Sequence, residues 1–234
     1  MRATGTSVVR FEPIQRAEHA LVMSLFTVLA VTGIPQKFFD HGWAQWMMGW
    51  LGGVDTARWV HRAAGIAFTI VVIVHLSRLT LLVARGKASL SLVPTRQDFR
   101  DAIITLRYYL GVSDEQARFD KFDYRQKFEY WGLVLGAGVV IATGFVLLYP
   151  AMITAILPGQ LVPAAQVAHS NEGLMAFLVV IVWHIYNAHF NPDVFPFDTT
   201  IFTGRISLER LRHEHPIEYE RLMLEEAQKQ KKPA

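Results

Sequence analysis

The chain has 234 residues, of which 52% are hydrophobic and 18% charged, and its formal net charge is +3. This composition excludes an ordinary soluble domain and predicts an integral membrane protein. Because the sequence has no cysteine, disulfides, iron-sulfur clusters held by cysteine and covalently attached haem are excluded.

Four apolar spans of transmembrane length follow one another, at about residues 19–35, 59–83, 129–150 and 166–189. The connection between the second and third spans is rich in lysine and arginine, whereas positions 130–171 carry no charged residue. By the positive-inside rule this connection and both termini are cytoplasmic, in a multi-pass protein of the cytoplasmic (inner) membrane. Membrane lipid then accounts for the basic residues, and no nucleic acid partner is expected.

The first span begins at His19, a candidate ligand on the cytoplasmic side. After it, Trp43, Trp46 and Trp50 recur at helical spacing and predict a helix in the opposite membrane interface. His41, beside an aspartate, is interpreted as a surface residue.

The second and fourth spans each carry two histidines. His61 and His75 are 14 residues apart, and His169 and His184 are 15 apart, which corresponds to about 21 and 22 Å of helical rise. Ionisable residues within a membrane usually mark function, and neutral imidazole is a common metal ligand. A haem between two histidines fits this pattern, because its iron accepts an imidazole from each side. The alternative is that the histidines are packing residues.

Arg58 and Arg62 flank His61, where a guanidinium could pair with a haem propionate. The other interpretation is that both extend to lipid headgroups.

The long cytoplasmic connection and the C-terminal tail carry the remaining polar elements. An amphipathic helix is predicted between Pro94 and Gly111, and a second over residues 207–229, interrupted at Pro216. His213 and His215 lie on this second helix among charged residues and are expected to be solvated. We therefore predict an all-α fold, with a four-helix transmembrane bundle in residues 1–205 and a cytoplasmic tail in residues 206–234.

The two halves of the chain repeat one another, which predicts a doubled helical hairpin. Tyr130 takes the place that His19 holds in the first half. The matching residues are Glu18, Thr32 and Gly33 with Glu129, Thr143 and Gly144; His61 and Gly65 with His169 and Gly173; and His75 with His184.

In their order along the chain, these residues resemble a known family, the di-haem cytochrome b subunits of membrane-bound formate dehydrogenases, nickel-iron hydrogenases and thiosulfate reductases. The matching segments are RAEH up to His19, Thr32-Gly33, HRAAG from His61, DYRQK from Asp123, Thr143-Gly144, HSNEG from His169 and HIY from His184.

This resemblance implies two haems b and a quinone site. One haem, near the periplasmic face, would be held by His61 and His169, and the other, near the cytoplasmic face, by His19 and His184. The segment from Asp123 onward would contribute Gln126 and Lys127 to a site for menaquinone or ubiquinone beside the cytoplasmic haem.

The repeat itself leaves two points open. His75 is additional to the formate dehydrogenase pattern and could face His184 in place of His19. Together with His189 there are six histidines at membrane level, enough for three haems, although two are favoured.

The predicted function is electron transfer between a redox partner and the quinone pool. The partner would be an iron-sulfur or multihaem cytochrome c subunit, and the chain would be a quinone-reactive oxidoreductase component with no catalytic residue of its own. A haem-free membrane anchor of a redox complex is the alternative.

Overall fold

The computed structural model describes residues 3–4, 6–192 and 194–231. Helices make up most of the chain, and their bounds are α1 Pro13–Lys37, α2 Gly42–Trp50, α3 Val54–Ala84, α4 Arg96–Tyr109, α5 Tyr124–Leu148, α6 Pro150–Thr154, α7 Leu161–Leu178, α8 Thr200–Thr203, α9 Leu208–Glu214 and α10 Pro216–Lys231. Three short strands accompany them, β1 Ala3–Thr4, β2 Ser7–Val9 and β3 Arg205–Ser207.

Four helices are long and apolar enough to cross a membrane: α1, α3, α5 and the helix that begins with α7 and runs to Phe190. The predicted helical membrane fold is thus confirmed. The helices are longer than the predicted spans, because α1, α3 and α5 begin in polar segments that hydropathy does not detect. Such ends can extend beyond the hydrocarbon core, where side chains contact water and headgroups.

The fourth spanning helix changes geometry partway along. After α7 it continues as π-helix over Val179–His184 and again over Tyr186–Phe190. A π segment accommodates one extra residue within a helix and often lies at a functional site. It therefore explains why His169 and His184 are 15 residues apart when their counterparts in α3 are 14 apart.

The contacts divide the described residues into two compact units. The polar unit comprises those of Met1–Arg16, Val83–Trp131 and Asp198–Ala234, and the membrane unit those of Ala17–Leu82 and Gly132–Phe197.

The polar unit contains a small antiparallel sheet in the order β1-β2-β3, in which Val8 of β2 is opposite Ile206 of β3. These two residues form a buried apolar cluster with Leu211 and Leu222. Sequence analysis did not predict the sheet, because its strands are two or three residues long and come from opposite ends of the chain.

A buried ion pair joins the N-terminal segment of the polar unit to α10. Arg10 pairs with Glu218, and both side chains are almost fully buried, at 3% exposure each. The Arg10 guanidinium also donates to the Lys121 carbonyl and lies 3.1 Å from His215 Nε2.

The prediction that His215 is solvated is wrong, whereas His213 is exposed as expected. His215 Nδ1 lies 2.7 Å from the carbonyl oxygen of Asp120. A carbonyl only accepts, so Nδ1 carries the proton and Nε2 can accept from Arg10. Burial, followed by the Arg10 charge, lowers the pKa of His215 to about 4.

The spanning helices bury small residues and expose large ones. Their buried positions are Thr32, Pro35, Ala57, Ala64, Gly136 and Ala165. Small residues let membrane helices approach closely, while large apolar side chains on the outer faces suit contact with lipid.

Candidate functional site

The two histidines nearest the α1–α3 and α5–α7 turns lie opposite one another in the membrane unit. The ring centroids of His61 and His169 are 6.1 Å apart, and the ring planes are 79° apart. His61 lies in the third turn of α3, and His169 lies in α7.

The Nδ1 atoms of both rings hydrogen-bond to the preceding helix of their own hairpin. Nδ1 of His169 lies 2.9 Å from the Val140 carbonyl oxygen and 3.2 Å from Thr143 Oγ1. Nδ1 of His61 lies 3.0 Å from Thr32 Oγ1, and the ring also hydrogen-bonds the Leu29 backbone.

These contacts fix the tautomer of each imidazole. The hydroxyls of Thr32 and Thr143 donate to carbonyls four residues earlier, so their oxygens can accept from the histidines. Each Nδ1 therefore donates, which leaves the lone pair of Nε2 available to a metal. This is how metal-ligating histidines are usually oriented.

Two glycines make room for these rings. A Cβ at Gly33 would lie 2.9 Å from Cε1 of His61, and one at Gly144 would lie 3.2 Å from Cε1 of His169. The repeated threonine-glycine pair, inside α1 and α5, thus supplies both the hydrogen-bond acceptor and the space.

A second pair is formed by His19 of α1 and His184 of the π segment. Their ring centroids are 6.2 Å apart, with 40° between the planes.

Both centroid distances fit ligation of one iron by two imidazoles. A metal–imidazole bond is about 2 Å long and the ligating nitrogen lies about 1 Å from its ring centre, which gives centroids about 6 Å apart. In the described part of the chain, no group of three or more histidine, cysteine or acidic residues could hold a metal ion directly. Each pair offers two imidazoles, which is a ligand set that a haem iron accepts.

His75, the other candidate for the second pair, contacts a carboxylate. Its Nδ1 lies 3.0 Å from Oε2 of Glu18, which also accepts from Arg78 at 2.7 Å. The second carboxylate oxygen accepts from Arg78 Nε at 2.7 Å, so the ion pair is bidentate.

His189 stacks on Phe197, with ring centroids 4.0 Å apart and planes parallel to within 1°. His41 is exposed next to α2, and the three tryptophans of that helix are exposed as well.

Gln126 and Lys127, the candidate quinone residues, lie at the start of α5 in the polar unit. The Asp123 carboxylate accepts from the Gln126 backbone at 2.8 Å, and Gln126 Oε1 accepts from the Asp123 backbone at 3.1 Å. Lys127 forms an ion pair of 2.7 Å with Asp98 of α4. Burial opposes the charge on Asp98, but hydrogen bonds from Lys127 and Thr95 hold the pKa of this carboxyl below its usual value.

Sequence reasoning missed two features of the first pair. The first is the hydrogen bonding to the Leu29 and Val140 carbonyls, which no sequence pattern predicts because every residue has a carbonyl. These two residues are 111 positions apart, the same separation as that between Thr32 and Thr143. Lys37 was also missed: its Nζ donates to the side chains of Ser170 and Asn171, next to His169.

Comparison with known proteins confirms the family resemblance. The family model for prokaryotic cytochrome b561 matches residues 10–195. The chain is 23% identical over 223 residues to the cytochrome b556(Fdn) subunit of the nitrate-inducible formate dehydrogenase of Escherichia coli K12, with 95% of each chain covered. The proteins of that name from Escherichia coli O157:H7 and Shigella flexneri match equally. The chain therefore belongs to the prokaryotic cytochrome b561 family, whose members are multi-pass membrane proteins that bind haem b and transfer electrons.

Proposed function

We propose that the chain is a di-haem subunit that carries electrons between a redox partner subunit and the quinone pool. One haem lies between His61 and His169, and the other between His19 and His184. The observation that supports this assignment is the matched spacing of the two pairs, at 6.1 and 6.2 Å between ring centroids. His75 and His189 stay outside this ligand set.

The chain's own residues hold and orient the ligands. Thr32 and Thr143 accept from Nδ1 and keep Nε2 unprotonated, while Gly33 and Gly144 leave space for the rings. When bound, the haem irons supply one-electron transfer between the two membrane faces. Glu18, the residue before His19, forms an ion pair with Arg78 of α3. This pair holds α1 against α3 and so helps to position His19.

The relatives support a place for this chain in a redox complex. Because similar chains are named as subunits of formate dehydrogenase, we assign this one to a membrane oxidoreductase complex, with an iron-sulfur or multihaem cytochrome c subunit as electron partner. The quinone, menaquinone or ubiquinone, would bind at Gln126 and Lys127. In the described chain the Gln126 side-chain nitrogen donates to no protein group, so it can donate to a quinone carbonyl. Both termini face the cytoplasm in this proposal.

A haem count tests the assignment. A pyridine haemochrome assay on the detergent-purified protein should give two haems per chain, and one after either His61→Ala or His19→Ala. The matched variant His75→Ala should keep two.

The other results would each exclude part of the proposal. Absence of haem from the wild-type protein would favour a haem-free anchor. Three haems per chain, with one lost in His75→Ala or His189→Ala, would refute the four-histidine ligand set.

A further inference from the structure

Lys37 is a cation with only neutral partners. Its ammonium donates to Ser170 Oγ at 3.1 Å and to Asn171 Oδ1 at 2.6 Å, and it lies 5.9 Å from the centre of the Phe38 ring. Among the described residues, no carboxylate lies within ion-pair distance of this half-buried side chain. An ammonium has three donors, so one remains for a further acceptor.

The position of Lys37 relates it to the first histidine pair. Gly33, which faces His61, is four residues earlier in α1, so Lys37 lies about one turn further along the same side of the helix. The partners of the ammonium are one and two residues after His169. Lys37 is thus held next to both ligands, on the side toward the end of α1.

The group expected at this place is an anion. A haem carries two propionates at one edge of its ring, and a carboxylate in a membrane protein is stable only when it is paired or hydrated. On these grounds, and resting on the proposed function, we propose that Lys37 binds a propionate of the haem held between His61 and His169. Ser170 and Asn171 position its ammonium.

Two comparisons within the chain separate Lys37 from other basic residues. Arg58 and Arg62, the candidates from the sequence, are exposed, whereas Lys37 is half-buried and held by two hydrogen bonds. The residue that corresponds to Lys37 in the second half of the repeat is Leu148, so only the first half of the chain supplies a cation at this position.

Redox titration of the purified haem-loaded protein tests the proposal. Without the Lys37 charge, the bound propionate would favour the oxidised haem and lower its midpoint potential. In a His19→Ala background, which isolates the relevant haem, Lys37→Gln should lower the ratio of reduced to oxidised haem up to about tenfold at the original midpoint, or about 59 mV for one electron. Lys87→Gln, which removes an exposed cation in the turn after α3, is the matched control and should leave the midpoint unchanged.

Replacement of the cofactor by haem dimethyl ester identifies the anion. With the propionates esterified, the ammonium has no anion to hold it at the haem edge, so Lys37→Gln should lower the midpoint less than it does with natural haem. A shift of equal size would instead indicate a lipid phosphate or a long-range field and would overturn the proposal, as would an unchanged midpoint with natural haem.

If Lys37→Gln folds poorly, redox-difference infrared spectra of a second variant, Lys37→Arg, still test the contact. Lys37→Arg retains the charge and should move the propionate carboxylate bands, and unchanged bands would refute the contact. Failure of the proposed function itself would be distinct, because the wild-type protein would then contain no haem to titrate.

Discussion

At the scale of single residues, the space beside each histidine ring is the most sensitive feature of the site. Gly33→Ala would place a methyl group 2.9 Å from His61, and Gly144→Ala would place one 3.2 Å from His169. The first contact is too short for two carbon atoms, and the second requires only a small shift. We expect Gly33→Ala to lower haem occupancy of this pair at least several-fold and Gly144→Ala to have a weaker effect.

The measurement is haem per chain together with the low-spin electron paramagnetic resonance spectrum. Gly132→Ala is the control, because nothing lies within 4 Å of its added methyl group. Equal effects at all three glycines would mean that helix propensity, and not ring space, is responsible.

Another prediction concerns His215 in the polar unit. Its pKa is about 4 in the folded protein, against an ordinary value of 6.5, so below pH 6.5 the unfolded chain binds a proton that the fold does not. The contribution of His215 to the stability of the polar unit should therefore fall as the pH decreases from 6.5 to 4, by about 3 kcal/mol in total, and level off below that range.

Hydrogen exchange of α10 amides across this pH range measures the effect. His215→Asn does not titrate and should flatten the profile between pH 6.5 and 4. His213→Asn removes an exposed histidine and should retain the wild-type slope. A wild-type slope in His215→Asn would assign the effect to another group.

At the scale of elements, the π segment should absorb the loss of one residue. Deletion of Val180 can convert Val179–His184 to regular α-helix and still leave its histidine opposite His19, at the spacing found in α3. We expect the deletion variant to keep two haems per chain.

Deletion of Met23 from α1 is the matched control, since α1 is α-helical throughout. The loss of one residue there rotates His19 relative to Thr32 by about 100°, and the protein should lose the haem of the second pair. If the Val180 deletion also removed that haem, the extra residue would be required for ligand placement.

The same elements indicate what a sequence can reveal. The spans were predictable because hydrocarbon excludes charge over some twenty consecutive residues. The threonine-glycine pairs were predictable because they recur 111 residues apart. The only trace of the π segment in the sequence is that His169 and His184 are 15 residues apart, where His61 and His75 are 14 apart. The sheet and the burial of His215 depend on partners far away in the chain, such as Arg10, and no local pattern reports such contacts.

For the whole molecule, sidedness can be tested directly because the chain has no cysteine. Ser89 and Thr154 are both exposed, the first after α3 and the second at the end of α6. With a membrane-impermeant maleimide, Thr154→Cys should react in spheroplasts and Ser89→Cys only after membrane lysis. The reverse pattern would invert the proposed topology.

The pairing of β2 with β3 has a consequence for chain connectivity. Because Val8 and Ile206 are neighbours in one sheet, residues from the two ends of the chain are held together without a covalent link. A circularly permuted gene, with a flexible linker joining the old ends and new ends in the exposed turn at Gly86, should therefore still yield a haem-binding protein. The order of the helices along the gene would change. The number of membrane-spanning helices, and the side of the membrane on which both chain ends lie in the proposed topology, would stay the same.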